Sequence, residues 1–322
     1  LILRFMSNHL FPRIKDLLFF AFPIMLGNIG HMLIGAGDVF VAARHGAGTL
    51  AAISIANAIT SVIFLVGLGL LFSISTVLSQ KRGENDDIDK YLKLNIVYST
   101  VIAVIFGLIT LVPIPIIPYM GFERKLVPYI QDYIFICSFS FIGAFLYQGL
   151  KEFLQAKEVV FFANLVSIMA VFINLFLNWT FVFGNKFIPS LGVNGLAIAS
   201  FGTRCFMGLL LLCYCWKYLK SKFYFDKAYL KELFRIAYPL SLSLLLEISA
   251  FSLITLIAGR ISTIQVAAHN IVFTLASTAF LFPMSISNAL GVKVGYAYGA
   301  RNYIDIKENI LAGVTISVVI MS

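Results

Sequence analysis

The chain has 322 residues, 60% of them hydrophobic and 12% charged, with a formal net charge of +9 and a mean hydropathy of +0.93. A soluble domain of this size cannot hide that much apolar surface, so the composition excludes a water-soluble fold and indicates a polytopic membrane protein. In hydrocarbon every backbone group must be satisfied within a segment or by its neighbours. The chain lacks the short alternating strands of a barrel, so its apolar runs are expected to be helices and the fold all-α.

Nine apolar segments run near 17–43, 50–79, 92–118, 128–150, 159–183, 192–216, 233–258, 265–292 and 308–322, to be compared with the ~20 residues that a spanning helix needs. Basic residues between them alternate in number. With the N-terminus in the cytoplasm, 18 Lys and Arg fall on the inner side, Lys151 and Lys157 among them. Five fall on the outer side, namely Arg44, Arg124, Lys125, Lys186 and Arg260, and Arg204 lies within a segment. This positive-inside asymmetry explains the basic balance without a nucleic-acid partner. The expected location is the inner (cytoplasmic) cell membrane, multi-pass, with no cleavable leader pattern at the start. Cys137, Cys205, Cys213 and Cys215 all sit in apolar runs and read as buried thiols, not as a disulfide framework or a metal site.

The first segment carries Asp38 within Gly35-Ala36-Gly37-Asp38. A carboxylate at a helix centre costs about 2.5–3.5 kcal/mol on insertion scales, so it needs a partner, a wet cavity or a proton. Its two readings are a proton or cation site and a helix-packing hydrogen bond. In the fifth segment Asn174 and Asn178 are four apart and share a helix face. They could coordinate Na⁺, bond Asp38 or hold helices together. Arg204, in the sixth, could neutralise a carboxylate or snorkel. The Lys217–Lys231 stretch is a basic, aromatic linker. Glu247 then sits inside Leu244-Leu245-Leu246-Glu247-Ile248, where a coupling or substrate role is expected. His31 and His269 read as packed residues, and Pro23, Pro239 and Pro283 mark places where helices can bend.

Residues 23–89 return at 239–305 with a constant offset of 216. Pro23 falls on Pro239, Arg44 on Arg260, Gly83 on Gly299 and Asp89 on Asp305. This is an internal duplication. Six segments precede the second copy, so both halves enter the membrane in the same direction and should be related by a pseudo-two-fold axis along its normal, with a cavity between them. The expected organisation is 1–216 as a first lobe of six helices, 217–231 as a cytoplasmic linker and 232–322 as part of a second lobe. Two full units would need roughly 430 residues, so the chain is expected to hold part of such a pair. The chain contains no Gly-x4-Gly-Lys-Ser/Thr run, HExxH or GxSxG, and no enzyme activity is expected.

Gly37-Asp38 followed by Leu50-Ala51-Ala52-Ile53-Ser54 resembles the first helix and following turn of the multidrug and toxic compound extrusion (MATE) transporters. Val266-Ala267-Ala268-His269-Asn270, then Phe282-Pro283-Met284-Ser285-Ile286, is similar to the family's eighth helix. Glu247 stands where the NorM-type bacterial branch has a seventh-helix glutamate. Asn174-x3-Asn178 and Gly192-Val193-Asn194-Gly195-Leu196-Ala197 resemble the fifth helix and the start of the sixth. The resemblance implies a monomeric twelve-helix antiporter of two six-helix lobes, with eight or nine helices in this chain. It implies export of cationic, amphipathic drugs in exchange for Na⁺ or H⁺, with no other cofactor. It places Asp38, Asn174 and Asn178, with Ser200 as an addition, in a first-lobe cation or proton cluster, and Glu247 in a second-lobe site. Asp38 and Glu247 would also face the substrate cavity. Some relatives have an aspartate where Asn178 stands, and a carboxamide cannot take up a proton there. The competing reading within the superfamily is a lipid-linked oligosaccharide flippase, for which a more basic cavity is expected than a lone Arg204.

Overall fold

The computed structural model describes residues 10–186, 188–261 and 263–321; the side chains of 252, 255–271, 273 and 274, and with them His269 and the 266–270 motif, lie outside that description. The stretch expected to form the first lobe folds as α1 (Phe11–His45), α2 (Ala47–Leu71), α3 (Ser73–Gly83), α4 (Leu92–Leu111), α5 (Val127–Ala156), α6 (Phe161–Phe183) and α7 (Gly192–Cys215). The stretch expected to form part of the second folds as α8 (Lys227–Ile261), α9 (Thr263–Gly299) and α10 (Tyr303–Met321). Among the described residues eight stretches are long and apolar enough to cross a membrane, with α2 and α3 joined as 47–83. The ninth expected segment is the helix α10. Proline opens α1 and α5, where no amide donor is needed. Gly184, at φ 76°, closes α6 by donating its amide to the Thr180 carbonyl.

The duplication is repeated in the backbone. Moved by 216 residues, the bounds of α1 fall on those of α8, and the span from Ala47 to Gly83 falls on that of α9. The turns that end the two copies match bond for bond. Glu84 N–H donates to Gln80 and Asp86 N–H to the Lys81 carbonyl; Ala300 donates to Tyr296 and Asn302 to Ala297. Asn85 and Arg301, again 216 apart, both adopt the left-handed conformation, at φ 62° and 55°. Two apolar sequences with few shared side chains thus build one helix–break–helix–turn frame.

The copies meet across a seam that keeps the same symmetry. At Gly83 a β-carbon would overlap the Tyr296 carbonyl, and at Gly299 it would overlap that of Gln80. These four residues are one contact and its mirror image, made possible by glycine on both sides. Deeper in the seam, Gly69 lies against Ser241 and Leu244. The mirrored place holds Ser285, whose hydroxyl accepts from Asn28 Nδ2 at 3.0 Å. Both contacts carry a hydrogen bond, but from different positions: Ser241 Oγ donates to the Val66 carbonyl at 2.9 Å on one side and Asn28 to Ser285 on the other.

Ion pairs close the same end of the molecule. Lys293 Nζ lies 2.9 Å from Asp16 and 3.2 Å from Glu158. Arg82 donates to the Ala156 carbonyl at 2.8 Å and to Glu158 at 3.2 Å, and stacks on Tyr296. Arg13 pairs with Asp305 and Glu308. On the other half of α8, Leu246, Phe251, Leu253 and Ile254 are exposed. The two copies of the repeat are therefore tied together at the end that carries these ion pairs.

Two expectations need correction. Lys151 is not a loop residue: α5 continues to Ala156 and Lys151 is 5% exposed. The thiols are free, but only Cys137 and Cys215 are buried; Cys213 is exposed. A helix in lipid turns part of its surface outward, so an apolar run does not by itself place a thiol inside.

Candidate functional site

Asp38 is positioned by a run of small residues on α1. A β-carbon at Gly30 would meet the backbone of Ser167 at 3.2 Å, and one at Gly37 would meet Asn174 Oδ1 at 3.5 Å. Positions 30 and 37 on α1 thus pair with 167 and 174 on α6, two turns apart on each helix. The close approach delivers Asp38 to the face that carries Asn174 and Asn178. On the third side α7 packs tightly on α5 at Gly143, where a β-carbon would come within 2.7 Å of the Arg204 backbone. That contact sets the depth of Ser200.

The result is a closed polar cluster. Asn178 Nδ2 donates to Asp38 Oδ1 at 2.6 Å and to Asn174 Oδ1 at 2.9 Å; Ser200 Oγ donates to Asp38 Oδ2 at 2.9 Å. Asp38 is 7% exposed, Ser200 2%, and both asparagines 0%. Both carboxylate oxygens accept from these donors. Two atoms remain orphaned: Asn174 Nδ2 and Asn178 Oδ1 are buried without a hydrogen-bond partner. Such atoms cost about 1–3 kcal/mol each, so the cluster has unused capacity for a ligand or water. The donor set fits a proton on Asp38, or a small hard cation taken by Asp38, Asn174 Oδ1, the orphaned Asn178 Oδ1 and Ser200 Oγ.

Four of the five expected site residues therefore meet. Glu247 does not join them; it is exposed on α8. Arg204 neither bridges Asp38 directly nor snorkels. Its guanidinium donates to Ser140 Oγ at 2.6 Å and lies 4.8 Å over the Phe64 ring, within electrostatic reach of Asp38. His31 stacks on the same ring at 6.3 Å, a packed residue as expected. The structure adds Tyr133, 2% exposed, which bonds Asn57 at 3.4 Å.

A second polar group was missed. Every residue from Tyr147 to Ala156 is buried, and among them are Gln148, Lys151, Glu152 and Gln155. Their spacing is i, i+3, i+4, i+7, a single helix face. That spacing was the available signal; assigning Lys151 to a loop concealed it.

Comparison with known proteins agrees with this architecture. The family model described as MatE matches residues 23–180 and 239–322. The probable multidrug resistance protein NorM of Rhizobium meliloti (strain 1021) is 25% identical over 314 residues, covering 94% of this chain and 67% of the relative. The multidrug resistance protein NorM of Vibrio cholerae serotype O1 is 28% identical over 303 residues, covering 89% of this chain and 65% of the relative. The chain thus spans about two thirds of these curated relatives. Among solved structures, MATE in complex with MaL6 superposes with a TM-score of 0.87 at 19% identity, over 96% of this chain and 70% of that one. The outward-facing conformation of a multidrug resistance MATE family transporter of the MOP superfamily gives 0.83 at 19% identity, over 96% and 70%. These likenesses show the fold. The family model matches both repeats and more than half of the chain, and the chain belongs to the MatE family.

Proposed function

We propose that this chain serves secondary active multidrug efflux by antiport of H⁺ or Na⁺, alternating between two arrangements of its lobes in the inner membrane, with the N-terminus in the cytoplasm. The observation that carries the reading is the Asp38 cluster: one buried carboxylate held by Asn178 and Ser200, with an orphaned Asn178 oxygen beside it. Loading Asp38 changes charge and hydrogen bonding between α1, α6 and α7. A coupling ion drives transport only if it binds two states differently. The seam closed by Lys293, Arg82 and Arg13 is the element that such loading would bias. The NorM names support drugs as substrates, and Asp38 or the exposed Glu247 would meet cationic ones.

A lipid-linked oligosaccharide flippase gains one point from the structure, since buried Lys151 joins Arg204 as a second basic residue inside the helices. The Asp38 cluster favours the drug exporter. The test is efflux of a cationic dye by the intact protein in a sensitive host, wild type against Asp38→Asn. Loss of efflux is expected; undiminished export removes the assignment, and movement of a lipid-linked sugar in place of the dye establishes the flippase.

A further inference from the structure

We propose that Glu152 is a second proton-exchange site of the transport cycle, set at the cytoplasmic half of the first lobe and gated by the Asn28–Ser285 contact between the lobes. This rests on the coupled-export reading above. The starting point is the buried stripe on α5. Glu152 is 4% exposed and accepts from Gln148 Nε2 at 2.6 Å, with Ser75 and Gln155 also at its carboxylate. Gln155 Oε1 is buried and has no partner. A wholly buried helix end has no packing use for four polar side chains, two of them charged. Burying them is costly unless each is paired, and here the pairing is incomplete.

The location gives the stripe access to the lobe motion. Lys151 Nζ reaches Asn28 Oδ1 at 3.4 Å, and Asn28 passes the contact on to Ser285 of α9 at 3.0 Å. Among the described residues Asn28 thus bridges the stripe to the second lobe through these hydrogen bonds. Its mirror residue in the duplication is Leu244, which packs on Gly69. The other side of the seam has its own hydrogen bond, from Ser241 Oγ to the Val66 carbonyl at 2.9 Å, but the bond at Asn28 is the one that continues to Lys151 beside Glu152. When the lobes part, the Asn28–Ser285 bond breaks and water enters beside the stripe.

The groups that face Glu152 decide for a proton over a metal ion. Lys151 and Tyr147 act on it from its own helix, Ser75 faces it from α3, and His31 of α1 faces Lys151. Ser285 is the contribution of the second lobe, through Asn28. An alkali ion at Glu152 would be repelled by the Lys151 ammonium, whose charge acts on the same carboxylate. No group of three or more His, Cys, Asp or Glu that could hold a metal occurs among the described residues. In the exchange, one O–H bond forms on the Glu152 carboxylate with a proton from water at the seam and breaks when that proton returns to water. The matching O–H bond of a hydronium ion breaks in the first step and reforms in the second.

The experiment uses the intact protein in proteoliposomes. Infrared difference spectra on acidification read protonated carboxyl groups, and dye export is followed across pH. Wild type should show separate contributions from Asp38 and Glu152. Glu152→Gln should remove one of them and reduce the pH-driven part of export by roughly 5–150-fold, the usual range of a coupling free energy. Because Glu152→Gln leaves Lys151 uncompensated, Lys151→Gln/Glu152→Gln is measured beside it and should lose the same band. Asn28→Leu, which copies Leu244, should move the Glu152 band along pH and leave that of Asp38 in place. Wild-type spectra and pH profile in both Glu152 variants overturn the proposal. Wild-type export in Asp38→Asn overturns the coupled-export reading instead.

Discussion

Helices α1 and α8 have the same bounds after a shift of 216 residues and the same internal proline, and Lys15, Asp16 and Arg44 return as Lys231, Glu232 and Arg260, yet the polar groups of their middle stretches differ. Asp38 stands opposite Ile254, His31 opposite Glu247, and Asn28 opposite Leu244. Asp38 is buried in a three-sided hydrogen-bonded cluster, whereas Ile254 is 48% exposed. Duplication therefore supplied the frame twice, and ionisable chemistry was placed in each copy independently. A frame of helix bounds, turns and glycine contacts tolerates such divergence because its symmetry lies in the backbone. A carboxylate does not, because its partners come from other helices.

The largest effect expected from this difference is at Asp38. Asp38→Asn replaces two acceptor oxygens by one, so that either Asn178 Nδ2 loses its acceptor or the Ser200 hydroxyl must turn to accept from the new amide. Coupled export should fall by about 5–150-fold, measured as dye efflux against the ion gradient. Moving the carboxylate to the mirrored place, as Asp38→Ile/Ile254→Asp, should not restore it. Recovery in that swap would show that the frame, not the cluster, carries the chemistry. Glu247→Gln should cost less than Asp38→Asn, since Glu247 is exposed and outside the cluster. An equal or larger loss would put the coupling in the second lobe.

These residues also show how far the sequence could be read. The constant offset of Pro, Gly and Asp predicts the repeat because backbone breaks are written in single residue types. Asp38, Asn174 and Asn178 are legible because a polar group in an apolar helix needs a reason. The stripe from Gln148 to Gln155 is less so, since charges near the end of an apolar run resemble a loop until the helix is seen to continue. Glu247 was legible as a residue, but its surroundings were not: spacing along one helix does not say which other helices approach it.

The next effect tests the symmetry of the seam. Gly83→Val and Gly299→Val each force a β-carbon onto a carbonyl of the opposite copy. Each should lower thermal stability in detergent by about 1–3 kcal/mol, and by similar amounts, as overpacking does. The two contacts share one interface, so the double variant should cost less than their sum. Unequal single effects would show that the mirrored contacts are equivalent in shape only.

The smallest effect separates the two turns that end the repeats. In the first, Asp86 takes the place that Asn302 holds in the second, and the backbone bonds are the same. Partial burial works against the Asp86 charge, but bonds from Lys90 Nζ at 2.6 Å and Tyr91 Oη at 3.0 Å outweigh it and hold the carboxyl below its ordinary value of 3.8. A carboxyl whose folded value is depressed contributes stability that is complete above the unfolded value and is lost as pH falls through the folded one. Asn302 does not titrate; its side chain instead accepts from the Asp305 amide at 3.2 Å. Acidification below 3.8 should therefore loosen residues 84–87 and leave 300–303 unchanged, read by hydrogen exchange of the two turns in one sample. Asp86→Asn should abolish the difference. If both turns loosen together, the acid sensitivity belongs to the shared seam, and the side chains that distinguish the copies do not control it.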